Sequence, residues 1–148
     1  MASDLSLLLD AIDEAFDRKS WHGPNLRGAL RGVTAQAAAW RPAPGRHSIW
    51  ELTLHCAYWT YVGRRRLTGD KRGSFPLKGS NFFPVPEDAS AMEWKKAIQL
   101  LTAQHKEWRA AVAQMANLDR NKIHLIRGVA AHHLYHAGQI QLLKRMQP

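Results

Sequence analysis

The sequence predicts an all-α protein built as a four-helix bundle. Four long segments place apolar residues three and four positions apart, which is the spacing of one helix face. No segment has the alternating pattern of a half-buried strand. The chain has 148 residues, of which 45% are hydrophobic, enough to form one core. We therefore expect a single domain over residues 1–148.

The N-terminal part of the chain is predicted to hold one long helix and short helical segments. Ser3 suits the cap of a first helix that runs to about Lys19. Pro24 suits the first position of a short helix over residues 25–32, and Thr34 can cap a further turn over residues 35–39. Residues 41–45 contain two prolines and a glycine, which predicts an extended connector.

Three more long helices are predicted after this connector. Ser48 and Glu51 form an S-x-x-E capping box at the start of a helix to about Leu67. The next helix spans about residues 88–115, and the last spans about 120–146. Residues 68–86 are rich in glycine and proline and lack periodicity, which predicts a long loop. Long loops in compact domains are usually functional or fold over an opening.

Charge and cysteine content narrow the function classes. The formal net charge is +9, so a nucleic-acid partner has to be considered. The basic residues are spread along the chain, and the one run, residues 64–66, falls near a helix C-terminus, where the helix dipole favours cations. The single Cys56 excludes an internal disulfide and a multi-cysteine zinc site. The N-terminus resembles no signal peptide, and no apolar stretch is long enough for a membrane span, so we expect a cytoplasmic protein.

Histidines occupy positions where a packed helix would normally bury leucine. In the last helix, the inward-facing residues recur at spacings of 4, 3, 4, 3 and 4: Leu125, Val129, His132, His136, Gln139 and Leu143. In the second long helix, they recur at 3, 4 and 3: Leu52, His55, Trp59 and Val62. A buried imidazole needs a hydrogen bond or a metal, because an unpaired buried polar group costs about 1–3 kcal/mol.

This histidine pattern has two interpretations. An i, i+4 pair with a third histidine on another helix suits a site of three nitrogen ligands for Zn, Ni or Fe(II), with positions left open. The same spacing also fits histidines that are satisfied in the core or lie at the surface. Periodicity does not choose cleanly between His132 and His133, since His133 and His136 form an alternative i, i+3 pair.

Four more residues are candidates for the surroundings of such a site. Gln139 follows His136 by three positions and can orient a ligand, and Glu51 precedes His55 by four. Trp59 can line a pocket, and His22 lies in a turn that can face the mouth of the bundle. We expect Cys56 to be a small core residue. The remaining histidines are expected at the surface or in capping positions: His47, His105 and His124.

Three segments together resemble a known family. Residues 132–140, HHLYHAGQI, are similar to the H-x-x-Y-H-x-G-Q-I signature of the DinB/YfiT-like metalloenzyme family. Residues 48–59, SIWELTLHCAYW, resemble the other histidine-bearing helix of that family, and residues 40–44, WRPAP, resemble the connector before it. The matches follow one another in the order of the family.

The resemblance implies an up-down-down-up four-helix bundle in which three histidines hold a divalent metal. Carried over by motif, the metal ligands are His55, His132 and His136, and His133 is not a ligand. Relatives include enzymes that use low-molecular-weight thiols. The resemblance therefore implies a metal-dependent thiol S-transferase or a related hydrolase, with a small-molecule substrate or thiol as partner.

Two alternatives remain open. Small residues beside apolar ones on the back of the last helix suggest close approach of another helix, in the bundle or at a homodimer contact. They are Gly128, Ala131, Leu134, Tyr135, Gly138 and Leu142. The chain could thus be a non-catalytic dimeric module, with or without metal. The positive charge keeps a nucleic-acid binder as the other alternative.

Overall fold

The structure, a computed structural model, describes residues 1 and 3–148 and is all-helical over them, without a strand. Its six helices are α1 Asp4–Phe16, α2 Leu26–Leu30, α3 Ala35–Ala39, α4 Ile49–Thr68, α5 Ala91–Ala113 and α6 Arg120–Met146. Within those residues, the structure contains no helix with both the length and the apolar character of a membrane span. The all-α fold class predicted from the sequence is confirmed.

Capping residues explain where the helices begin. The side chains of Ser3, Thr34 and Ser48 each accept a hydrogen bond from a backbone N–H in the first turn, as predicted. The capping box is complete, because Glu51 accepts the backbone N–H of Ser48 in return. At the other end of α4, Gly69 adopts a left-handed conformation with φ 77°, which glycine tolerates without strain.

Several predicted boundaries were wrong by a few residues. Helix α1 ends at Phe16 rather than near Lys19, because the chain turns at Asp17. Pro24 is not the first residue of α2, since Asn25 is the cap and its side chain accepts the N–H of Gly28. Helix α5 begins at Ala91, after the Ser90 cap, and not at residue 88. Side-chain caps decide where α2 and α5 begin, because the side chains of Asn25 and Ser90 accept backbone N–H groups of the first turn.

Helix α4 lies between α5 and α6, and most of its residues are buried. It packs against α5 and α6, while α1 packs against α6 and α5. The two core clusters centre on Trp50 with Leu101, and on Ile12 with Trp108. The histidine-bearing faces of α4 and α6 therefore face each other in the interior.

An ion pair with a buried carboxylate joins α1 to α5. Asp13 is only 3% exposed, and its carboxylate accepts hydrogen bonds from Nε and an Nη of Arg109 at 2.6 and 2.9 Å. Burial alone would raise the pKa of Asp13, but the hydrogen bond and charge of Arg109 lower it below its usual value. The carboxylate therefore stays ionised, and the pair fixes how α1 is placed against α5.

The predicted loop between α4 and α5 folds back over α4. Phe83 is buried in the core, and Phe75 packs against Tyr58 and Tyr61 with ring centroids 5.4 and 5.3 Å away. Next along the loop, the ring of Phe82 stacks on the imidazole of His55 at 4.1 Å. Aromatic contacts thus hold this segment in place although it has no regular secondary structure.

Candidate metal centre

Three histidines from two helices converge at one point. His55 comes from α4, and His132 and His136 come from successive turns of α6. The Nε2 atom of His132 lies 3.1 Å from Nε2 of His55 and 3.0 Å from Nε2 of His136. One ligand atom from each histidine lies within 4.8 Å of the other two. His55 and His136 are buried and His132 is half-buried, so one side of the cluster remains accessible.

Two hydrogen bonds fix which ring nitrogen of His55 and of His136 is unprotonated. Nδ1 of His55 lies 2.9 Å from the carbonyl oxygen of Asn81, and Nδ1 of His136 lies 2.7 Å from Oε1 of Gln139. Both partners are acceptors, so each Nδ1 carries the proton and donates it. In the neutral rings, Nε2 is then unprotonated, and its lone pair points into the cluster. This arrangement is typical of metal-binding histidines, whose second nitrogen bonds to an oxygen.

The three Nε2 atoms are better arranged to coordinate a divalent cation than to form hydrogen bonds with one another. Two lone pairs, from His55 and His136, face the same Nε2 of His132. A proton on that atom can satisfy only one of them, which leaves a buried acceptor unpaired. Ligands of tetrahedral zinc, about 2.0–2.1 Å from the metal, lie about 3.3 Å apart, close to the separations seen here. The residues therefore fit a metal, with small adjustments.

A cavity of about 290 Å³ leads to the cluster and is bordered by His132 and Trp59. The indole N–H of Trp59 donates to Oδ1 of Asn81 at 2.8 Å, which fixes the ring beside the opening. The ring centroids of Trp59 and His132 are 6.5 Å apart. A larger groove of about 910 Å³ between α2 and α5 contains none of the three histidines. Of these two cavities, only the smaller one borders a histidine of the cluster.

Asn81 and Phe82 are site residues that the sequence did not point to. The backbone of Asn81 fixes His55, its side chain fixes Trp59, and the neighbouring Phe82 stacks on His55. Asn81 has φ 65°, a left-handed conformation that asparagine adopts more readily than most residues. Both residues lie in the loop, where no periodicity predicts orientation. The only sequence signal was the unusual length of that loop.

The structure separates the other candidates. Gln139 bonds to His136 and Trp59 borders the opening. Glu51 does not reach the cluster, because its two oxygens accept from the guanidinium of Arg41 and the backbone N–H of Ser48. His22 is exposed in the turn after α1 and is not among the clustered histidines. His22 lies in a turn outside the regular helices, so helical spacing does not predict where its side chain points.

His133 lies on a neighbouring face of α6 and is turned towards the core rather than into the cluster. It is fully buried, and its Nε2 lies 2.8 Å from Oγ1 of Thr60. The Thr60 hydroxyl donates to the carbonyl of Cys56, so it must accept the Nε2–H of His133. The ambiguity between His132 and His133 is thereby resolved geometrically, since His132 joins the cluster and His133 joins the core.

The expectation that His105 lies at the surface was wrong. It is buried, and its ring stacks on Phe16 at a centroid distance of 3.6 Å. On α5 it follows Leu101 by four residues and precedes Trp108 by three, so helix geometry places it on the core face. His47 and His124 are exposed, as expected, and Cys56 is a buried core residue, as expected.

Comparison with known proteins identifies the family of the chain. The family model described as the DinB superfamily matches residues 20–140. The chain belongs to the DinB superfamily. The matched region includes all three clustered histidines. No curated protein and no solved structure matches the chain.

Burial keeps the three clustered histidines of this DinB-superfamily chain unprotonated. Burial, opposed by the bond to Asn81, lowers the pKa of His55 to about 4. Burial and the neighbouring imidazoles lower the pKa of His132 to about 3, and burial also lowers the pKa of His136. The cluster is therefore neutral at pH 7, which is the form that binds metal.

The metal-free protein should lose stability as the pH falls from 6.5 towards 4. Unfolded histidines take up protons near pH 6.5, whereas burial lowers the pKa of His105, like that of His55, to about 4. Below pH 6.5 the unfolded chain binds more protons than the folded chain. The contribution of these histidines to the free energy of unfolding is therefore fully present above pH 6.5 and falls as the pH is lowered towards 4. Urea unfolding at a series of pH values measures this.

A His105→Phe variant is the control, because it removes one of the titrating groups and should reduce the pH slope. A free energy of unfolding that stays constant between pH 7.5 and 5 would contradict the prediction.

Proposed function

We propose that this DinB-superfamily chain is a metal-dependent enzyme that holds one divalent metal ion through His55, His132 and His136. The single observation that carries the proposal is the convergence of the three Nε2 atoms, with two lone pairs directed at the same point. The neutral state of the three histidines supports the proposal further. So do the oxygen atoms that accept the Nδ1–H groups of His55 and His136.

The reaction class that these features suit best is S-transfer from a low-molecular-weight thiol, or a related hydrolysis. A bound divalent metal would act as a Lewis acid that lowers the pKa of a thiol or water at neutral pH. The chain's own residues leave one side of the cluster open through the cavity beside Trp59. Thiol transfer joins a thiolate sulfur to an electrophilic carbon, and the leaving group departs with the bonding electrons.

We also infer the up-down-down-up order of the four long helices. Trp50 and Trp94, near the starts of α4 and α5, have ring centroids 5.2 Å apart, which supports parallel directions. Phe16, at the end of α1, stacks on His105, in the second half of α5. Asp13, one turn earlier on α1, pairs with Arg109, one turn later on α5, and this reversed order supports antiparallel directions for α1 and α5.

A non-catalytic dimeric module is the second candidate, and the outer face of α6 favours it. Tyr135 and Leu142 are exposed by 66% and 60%. Beside them, a Cβ added to Gly128 or Gly138 would meet no atom within 4 Å. Exposed apolar side chains next to small residues suit the close approach of a second helix.

Each of three substitutions, His55→Ala, His132→Ala and His136→Ala, should remove most of the bound metal from a chain that otherwise binds about one ion. His133→Ala is the matched control, since His133 points into the core and should leave the metal in place. Elemental analysis of protein purified without a histidine tag measures the ratio. Loss of metal from the His133 variant together with retention in the His132 variant would refute the ligand set.

Two substitutions at Asn81 test whether the backbone bond to His55 matters. Asn81→Gly keeps the left-handed conformation and the carbonyl, whereas Asn81→Val strains the backbone at φ 65°. Losing a hydrogen-bond partner of a metal ligand typically costs about 10–100-fold in affinity. The valine variant should show that loss in a chelator competition, and the glycine variant should show less. Equal affinities in the two variants would contradict this role.

Small thiols should bind the Co(II)-substituted protein and produce sulfur-to-metal charge-transfer absorption. Binding should strengthen as the pH rises towards the thiol pKa, because the anion is the ligand. A spectrum that millimolar thiol leaves unchanged would favour the non-catalytic module.

Ala131→Arg should shift the protein from dimer to monomer in sedimentation experiments. The added charge would lie on the exposed face of α6 between Gly128 and Tyr135. Arg145→Ala, at the C-terminal end of the same helix, is the control. A wild-type chain that is monomeric at high micromolar concentration would refute the dimer.

A further inference from the structure

A second cavity, of about 660 Å³, adjoins the one that leads to the histidines. Helix α4 forms one wall and the loop after it forms the other. Four basic side chains line it and no acidic one does: Arg65, Arg66, Arg72 and Lys78. Its volume is within the range of about 300–1,000 Å³ that is usual for small-molecule sites.

These four cations are unpaired within the part of the chain that the structure describes. None of them has a carboxylate oxygen within 4.0 Å. Nε of Arg65 is buried and lacks a hydrogen-bond partner. The preceding Arg64 differs, because it pairs with Asp70 and Glu107 at 3.3 Å. The acidic side chains of this region thus neutralise the arginine outside the cavity and leave those inside it free.

The cavity is held open by fixed aromatic residues. The Tyr61 hydroxyl accepts the backbone N–H of Gly73 at 3.1 Å, which ties the loop to α4. Phe75 packs between Tyr58 and Phe83 with ring centroids 5.4 Å from each. The basic groups therefore line a cavity with partly apolar walls, which differs from the convex basic surface expected of a nucleic-acid binder.

One stripe of α4 connects this cavity to the histidine cluster. Continuing the spacing of three and four from His55 leads to Trp59, Val62 and Arg66. Trp59, Val62 and Arg66 border both cavities. The guanidinium of Arg66 lies 5.9 Å from the ring centroid of Trp59, within cation–π range. His55 and Arg65 are ten residues apart, which is about 15 Å along a helix.

We propose that this basic cavity binds the anionic end, a phosphate or carboxylate, of a small molecule whose other end reaches the histidine cluster through the adjoining cavity. Arginines present several N–H donors to an oxyanion, and the aromatic walls suit an uncharged arm between its two ends. The contact of the other end with the histidine cluster rests on the proposed function, whereas the anion site does not.

The first experiment tests the anion site without metal. Calorimetry with inorganic pyrophosphate should give equal affinities for the metal-free wild type and His132→Ala. Arg65→Gln and Arg72→Gln should each weaken binding about tenfold or more, the usual effect of losing a charge-assisted hydrogen bond. Arg72 is exposed in the loop, so its substitution should not impair folding. Arg120→Gln removes the same charge from an exposed position on α6 and should change little.

The second experiment tests the connection between the two cavities. Pantetheine and 4′-phosphopantetheine carry the same thiol on an arm long enough to link them, and they differ only in the phosphate. Charge-transfer titration of the Co(II)-loaded protein should give tighter binding of the phosphorylated thiol. Arg72→Gln should remove that preference and leave the affinity for pantetheine unchanged.

The outcomes separate the two proposals. Pyrophosphate binding that is absent, or that Arg120→Gln weakens as much as Arg72→Gln, overturns the anion site. Pyrophosphate binding in a chain that takes up no metal supports the anion site and refutes the proposed metal function. Equal affinity of the Co(II)-loaded protein for the two thiols overturns the two-ended ligand. If a single-stranded oligonucleotide displaces pyrophosphate at concentrations far below that of pyrophosphate, the small-molecule proposal is overturned in favour of nucleic-acid binding.

Discussion

The site depends on the close approach of α4 and α6. At Gly63, an added Cβ would lie 2.8 Å from a methyl group of Val129, too close for any other residue without movement of that side chain. Glycine inside a helix costs about 1 kcal/mol relative to alanine, so its presence here needs a packing reason. The short distance between the helices lets His55 of one meet His132 and His136 of the other. The hydrogen bond between Thr60 and His133 joins the same two helices from inside the core.

The sequence predicted the parts of the site that lie on helices. Helical spacing pointed to His55 and His136, because a regular helix fixes the direction of each side chain. It left His132 and His133 undecided, since His132 and His133 form alternative i, i+4 and i, i+3 pairs with His136, and the contacts of α6 with its neighbours separate them. Asn81 could not be predicted, because its position depends on the path of an irregular loop. The surface position expected of His105 was wrong because helical register, which places it on the apolar face of α5, outweighs the polar character of its side chain.

The layer beneath the histidine cluster is more polar than an ordinary core. His133 and His105 each leave Nδ1 buried and without a partner among the described residues, and the indole nitrogen of Trp108 is in the same condition. Unpaired buried groups lower stability, and proteins often tolerate that cost near functional sites. In this chain the cost is concentrated where α1, α5 and α6 meet behind the cluster. Acid therefore destabilises this layer together with the histidine cluster that packs against it.

Helix α4 orders the functional features along one face. The capping box fixes its start, and His55 lies two turns inside, where side chains are well ordered. Trp59 and Val62 follow at the border between the two cavities, and Arg66 lies in the last turn, where the helix dipole favours a cation. The arginine run in the sequence therefore has two roles, since it stabilises the end of α4 and supplies unpaired charge to a cavity. A net charge of +9 alone does not distinguish a basic surface from a basic pocket, whereas the position of these arginines beside fixed aromatic rings does.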